Sequence, residues 1–268
     1  MILQNVPFDQ YLVMPGVSNS QLKHFQDTPF HFYANVLSPD RPADEETVSK
    51  KIGKAFHTMF IERDCFDDRY AVQPEGVSLV TKEGRQFKLD NAHKAPLTHN
   101  AWLNLKLMDA AACRIPQLMQ LMGNSLMQRE VSVTWVDPEF GVQCKARPDL
   151  VFPMGDGDVI MLDVKTTDDV SPKEFYYNAL RFGYDVQQAI YTDALKHNGL
   201  NVSSFIFVVV GSSYPHIAKM YTLYEDIVML GKVKYRDRIS QYAKCLTSGV
   251  WPAYGDDVSE IMPGGLLE

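Results

Sequence analysis

Cysteine is sparse in this chain and scattered: Cys65, Cys113, Cys144 and Cys245 are the four, and none belongs to a CxxC pair. Such spacing supports neither a zinc ribbon nor a disulfide framework. Long apolar runs are missing as well; none approaches the roughly 20 residues that a membrane helix needs. The start, MILQNVPFDQ, lacks the basic-then-apolar order of a secretory leader. A cytoplasmic protein without membrane contact is therefore expected. Internal repeats and low-complexity stretches are absent too. Positive charge is in deficit, with 26 Lys and Arg against 33 Asp and Glu and a net charge of −7. At face value that argues against a surface holding nucleic acid through its phosphates.

What is present suffices for one α/β core, since 46% of the 268 residues are hydrophobic. The pattern predicts a single domain, 1–268, with a mainly helical part over 1–128 and a mixed sheet with helices over 129–268. Ser18 to Asn35 reads as a helix divided at Pro29, and Ser38 to Glu46 as a polar loop. Helices are expected over Lys50–Ile61 and, with a break at Pro116, over most of Asn91–Gln128. Strands follow at Val131–Val136, Val142–Arg147 with Asp149–Phe152, and Val159–Thr166. Helices are expected at Pro172–Leu180 and Val186–His197, a buried strand at Phe205–Val210, a strand at Ile217–Leu223 and a terminal helix from Glu225 to Leu246.

The chemistry concentrates in RPDLVFPMGDGDVIMLDVKTT, Arg147 to Thr167. Alternation in VIMLDVK puts Val159, Met161, Asp163 and Lys165 on one face of a strand and Ile160, Leu162 and Val164 on the other, core-facing one. An acid and a base two residues apart on an otherwise apolar strand need compensation, because desolvating unpaired charge is costly. The GDGD turn between LVF and VIMLDVK predicts an antiparallel hairpin, which brings Asp149 and Asp163 to one end of the sheet. Two carboxylates there suit a divalent cation such as magnesium. Lys165 beside them is placed to orient or deprotonate an attacking water and to offset charge building on phosphorus. Taken alone, the triplet also fits a cross-strand ion pair with Asp149 as a turn residue.

The segment resembles the PD-(D/E)XK nuclease signature, with Pro148-Asp149 as the PD and Asp163-Val164-Lys165 as the DXK. Downstream, YDVQQAIYTDA is similar to the QxxxY motif of the RecB-like branch, with Gln187 and Tyr191 one helical turn apart and so on one face. Upstream, GVSNSQLKHF and GKAFHTMFIERDCFDDRYAV resemble the RecE (exonuclease VIII) group of phage-type recombination nucleases, in which a histidine matching His57 belongs to the active site. The ending, GVWPAYGDDVSEIMPGG, is similar to that group's terminal segment. By residues alone, a histidine beside an apolar stripe such as Ile52, Phe56 and Phe60 is more often a satisfied core residue than a ligand, and His57 takes its site role from the resemblance.

The resemblance implies a restriction-endonuclease-like core whose catalytic set is Asp149, Asp163, Lys165, Gln187, Tyr191, His57 and Glu130. Asp149, Asp163, Val164 and His57 would hold Mg2+, for which Mn2+ can substitute. Relatives with an iron–sulfur cluster carry clustered cysteines near the C-terminus; here only Cys245 lies there, so no cluster is expected. The implied activity is digestion of one strand of linear double-stranded DNA from its 5′ end, leaving a 3′ single strand for a strand-annealing recombinase. Related enzymes form rings around DNA, so a ring-shaped homo-oligomer is implied. An endonuclease, a single-strand nuclease and an inactive DNA-binding module are the alternatives. Lys50, Lys51, Lys54, Arg147, Lys173 and Arg181 are the candidate DNA contacts, with Lys82, Arg85 and Lys88 on a loop.

Overall fold

A computed structural model describes residues 1–42 and 46–256. Part of the expected Ser38–Glu46 loop and the end of the terminal motif, from Asp257 on, lie outside the described residues. Within them the strands are β1 (Ile2–Leu3), β2 (Tyr70–Val72), β3 (Ala95–Leu97), β4 (Gln128–Arg129), β5 (Ser132–Val136), β6 (Gln143–Ala146), β7 (Leu150–Gly155), β8 (Asp158–Thr167), β9 (Asn201–Gly211) and β10 (Ala218–Tyr221). The main sheet has the order β10-β9-β8-β7-β4. It is mixed, with β8 and β9 parallel and the other neighbours antiparallel.

The β7–β8 hairpin forms as the GDGD turn predicts. Gly155 pairs with Asp158, and the intervening Asp156 and Gly157 have φ of 51° and 85°, as a type I′ turn requires. Its register sets Leu150 opposite Leu162, so Asp149, just before β7, comes beside Asp163 within β8. Parallel strands need a long crossover, and between β8 and β9 it consists of the helices Pro172–Phe182 and Tyr184–Lys196. Ser171 caps the first through its hydroxyl, and Gly183, at φ 74°, turns the chain into the second.

Helices cover both faces of the sheet, the arrangement expected of an α/β protein. On one face Val159, Met161, Phe205, Phe207 and Val209 pack with Val186, Ile190, Tyr235 and Ile239 from the Tyr184–Lys196 and Glu225–Ser248 helices. On the other, Leu150, Leu162, Val164 and Val208 pack with Phe56 and Phe60 of the Val48–Ile61 helix and with Leu105 and Met108 of the His99–Cys113 helix. Both faces of β8 are thus core, not only the Ile160–Leu162–Val164 face; burying Val159 and Met161 carries Asp163 inward with them.

A second sheet, β1-β5-β6, continues the first around a corner. The amides of Glu130 and Val131 donate to the carbonyls of Asp149 and Pro148 at 2.8 and 3.1 Å, so pairing passes unbroken from β4/β7 to β5/β6. The corner carries Glu130, Arg147 and Asp149.

The N-terminal part departs most from expectation. Ser18 does start a helix, with a capping box to Gln21, but the segment breaks into short turns at Asn19–Leu22, Lys23–Gln26, Pro29–Phe32 and Tyr33–Leu37. Thr28 caps the turn that Pro29 begins. Lys82, Arg85 and Lys88 lie on a helix, Lys82–Asp90, capped by Thr81, rather than on a loop. The stretch Asn91–Gln128 contains β3 before its helices His99–Cys113 and Pro116–Met122. The first residues, without an expected element, supply β1 and a short helix, Phe8–Val13. No helix among the described residues is long and apolar enough to cross a membrane.

Candidate active site

The carboxylates, the lysine and the histidine converge at the sheet corner. Asp163 is 1% exposed and Lys165 17%, and the ammonium lies 3.0 Å from Oδ2 of Asp163 while also contacting its Oδ1. Gln187, reaching over from the crossover helix, accepts from Lys165 Nζ at 2.9 Å and donates to Asp163 Oδ2 at 2.8 Å. Tyr191, one turn further, hydrogen-bonds Gln187. Asp149 accepts from the Val164 amide at 2.8 Å through Oδ2. Its Oδ1 lies 3.2 Å from Nε2 of His57, and the same nitrogen is 3.3 Å from Oε1 of Glu130.

The position of His57 follows from Gly53, one turn earlier on the Val48–Ile61 helix. A Cβ at Gly53 would stand 3.2 Å from Oγ1 of Thr166, so glycine lets the helix lie close against the end of β8. Glu130 is held in a left-handed backbone conformation, φ 52°, which a non-glycine residue adopts at a cost of about 1–3 kcal/mol. Arg147 compensates from the facing strand: its Nε binds Oε2 of Glu130, and Nη1 binds the Val6 carbonyl at 2.8 Å and Ser132 Oγ at 3.1 Å.

Charge in the cluster is strongly interdependent. Burial pushes the Asp163 carboxyl up to about 6, reinforced by Asp149 and opposed by Lys165. Burial also opposes ionisation of Asp149, yet His57, Lys165 and the Val164 amide hold it below the ordinary carboxylate range. For His57, burial favours the neutral ring, but Asp149, Glu130 and Asp163 outweigh it and lift the pKa to about 9. Lys165 is likewise held above its ordinary value, despite burial, by Asp163 and Asp149.

The donor set fits a hard divalent cation. Oε1 of Glu130 and Oδ1 of Asp163 are buried and make no hydrogen bond, only the charge contacts to His57 and Lys165, and imidazole and carboxylate atoms of His57, Glu62 and Glu130 lie within 4.8 Å of one another. Asp149, Asp163, Glu130 and His57 are the side chains that would hold the ion. Glu62 was not anticipated from sequence. It ends the His57 helix, and Arg69 grips both its oxygens at 2.5 and 2.8 Å, keeping its carboxyl low in spite of burial. Its signal was the acid in FIERD, five residues after His57 and thus off the i+4 face. Tyr184, whose ring lies 4.8 Å from Lys165 Nζ, was also missed. So was the wall formed by Pro7 and Phe8, which lines the cleft of about 810 Å³ that opens on His57 and Lys165.

The candidate DNA contacts divide. Lys50, Lys51, Lys173 and Arg181 are exposed on helices. Lys54 lines the cleft but pairs with Glu46 at 2.6 Å. Arg147 is 9% exposed and its guanidinium is engaged by Glu130, Val6 and Ser132, so it shapes the wall of the cleft that it lines.

A mixed sheet between helical layers, with an acid after a proline, a DVK strand and a glutamine-bearing helix meeting at its corner, defines a PD-(D/E)XK nuclease fold. The comparisons agree: the chain belongs to the family described as PDDEXK-like domain of unknown function (DUF3799), which matches residues 18–261. Among solved structures it is similar to a "putative exonuclease" from Eubacterium rectale, at 18% identity and a TM-score of 0.63 over 92% of this chain and 88% of that one. A likeness to the structure called SSO0001 is remote, at 13% identity and a TM-score of 0.31 over 72% of this chain and 85% of that one. No curated protein sequence matches this chain significantly.

Proposed function

We propose that this protein is a magnesium-dependent exodeoxyribonuclease that digests one strand of linear double-stranded DNA from its 5′ end. The observation that carries the nuclease reading is the meeting of Asp149, Asp163 and Glu130 with Lys165 and Gln187 at one corner of the sheet. Hydrolysis adds a water oxygen to phosphorus and breaks the bond to the leaving sugar oxygen, which must gain a proton. Lys165, fixed by Asp163 and Gln187, is positioned to orient the water and to offset negative charge on the phosphoryl oxygens. Gln187 holds the lysine and the carboxylate in register, and Tyr191 holds Gln187. A bound divalent cation would polarise the scissile phosphate and favour ionisation of the water.

The exonuclease polarity, the product and the assembly rest on the resemblance of GVSNSQLKHF and GKAFHTMFIERDCFDDRYAV to the RecE group. In this reading the 3′ single strand left behind passes to a strand-annealing recombinase, and copies of the chain form a ring around the duplex. Enclosure would offset the net charge of −7, because a threaded strand is retained by topology as well as by phosphate contacts. The test compares linear and covalently closed duplexes of one sequence, the linear one labelled at either 5′ or 3′ ends, with magnesium and with chelator. Early release of 5′ label and an intact circle are expected. Cutting of the closed circle would overturn the exonuclease reading in favour of an endonuclease.

A further inference from the structure

Phe8 takes no part in the chemistry above, yet it lines the cleft. Phe8 is 54% exposed. It lines both the catalytic cleft and an adjoining cleft of about 770 Å³; the two share Pro7, Phe8, Glu62, Arg69, Glu130 and Arg147. They therefore adjoin as one trough, His57 and Lys165 lining its first part and Arg63 and Arg129 its second.

The backbone that carries the ring is held firmly. β1 pairs with β5, and Arg147 binds the carbonyl of Val6. Nζ of Lys145, itself 3% exposed, donates to the carbonyls of Tyr11, Leu12 and Met14 at 3.2, 2.8 and 2.7 Å and so clamps the C-terminal end of the Phe8–Val13 helix. The Phe8 ring lies 6.4 Å from that of Tyr11 at an interplanar angle of 26°, and 5.8 Å from the Arg147 guanidinium. An aromatic ring already fixed loses little freedom when a ligand contacts it.

We propose that Phe8 is a positioning residue that stacks on a base of the strand being cut, next to the scissile phosphate. The inference rests on the nuclease reading and deepens it. Every base presents a π-face, so such a contact grips a strand without regard to sequence. A base inside a duplex is already stacked on both sides; stacking on Phe8 therefore requires that the strand enter the trough with at least one base separated from its neighbour. The substrate form that fits is a frayed or unpaired strand end.

The experiment uses the full chain and a linear duplex carrying 2-aminopurine near the 5′ end. Its fluorescence is read with calcium in place of magnesium, and cleavage is followed separately with magnesium. The wild type is expected to quench the probe. Phe8→Ala should fail to do so and raise KM about tenfold, as loss of one stacked base predicts, with kcat nearly unchanged. Phe8→Tyr should restore both, and Phe8→Leu, which keeps apolar bulk without a π-face, should not. Equal quenching and equal KM in Phe8→Ala, or full rescue by leucine, would overturn the proposal. If Phe8→Ala melts early, the contrast of tyrosine with leucine decides it alone. A wild type that quenches the probe and cleaves nothing would overturn the nuclease reading instead.

Discussion

Gln187 joins Lys165 to Asp163: its Oε1 accepts from the ammonium at 2.9 Å while its Nε2 donates to Asp163 Oδ2 at 2.8 Å. The amide thus fixes the distance between base and acid from a different element, the second helix of the crossover. Removing it leaves the charged pair intact but free to shift. Gln187→Ala is expected to lower kcat roughly 10- to 100-fold, the usual cost of losing a group that orients a metal ligand, with a smaller change in KM. Steady-state cleavage of a labelled duplex measures both.

Gly231 sets how closely the terminal helix approaches the Gln187 helix. A Cβ there would fall 2.3 Å from the backbone carbon and oxygen of Asp185, and backbone cannot step aside as a flexible side chain can. Gly231→Ala should destabilise the fold by about 1–3 kcal/mol, seen as a melting midpoint several degrees lower. An unchanged midpoint would show that the two helices separate freely.

Acid should weaken the protein through Asp137, which is fully buried and paired with Arg236. Burial opposes its ionisation, but Arg236 and the amides of Phe140 and Glu139 hold its carboxyl below the ordinary 3.8. A depressed folded value means that the stabilisation is complete above the unfolded value and drains away as pH falls through the folded one. In urea melts, the stability gap between wild type and Asp137→Asn should be constant from pH 7 to about 5 and shrink below pH 4. A gap that widens in acid contradicts this.

Lys145 holds the N-terminal wall of the cleft through three carbonyls. Lys145→Met keeps the bulk of the stem and strands those acceptors, so a loss of about 1–3 kcal/mol is expected. Hydrogen exchange should rise first over residues 8–14. Exchange confined to β6 would contradict the clamp.

The catalytic hairpin was legible because its signals are local. GDGD specifies the turn, the turn fixes the register, and the register sets Asp149 beside Asp163. The helical spacing of Gln187 and Tyr191 was equally plain. Glu62, Tyr184 and Phe8 were not, because their roles depend on contacts between elements far apart in the chain. The burial of Arg147 was not legible for the same reason: a basic residue in sequence looks exposed, whereas its partners Glu130 and Val6 come from segments far away in the chain. In the N-terminal part, Pro29 marked a break, but the division into four short turns is imposed by packing of Phe25 and Phe32 against Tyr242 and Trp251 from the other end of the described chain.

The most direct measurement is cleavage of an end-labelled linear duplex by the wild type, Asp163→Ala and Lys165→Ala, with magnesium and with chelator, each variant checked for folding by circular dichroism. The wild type should release label only with magnesium, and either substitution should reduce the rate by at least about 100-fold, as expected when a group stabilising the transition state is removed. Undiminished cleavage by a folded Asp163→Ala or Lys165→Ala, or equal cleavage by the wild type in chelator, would contradict the assignment of this corner of the sheet as the active site.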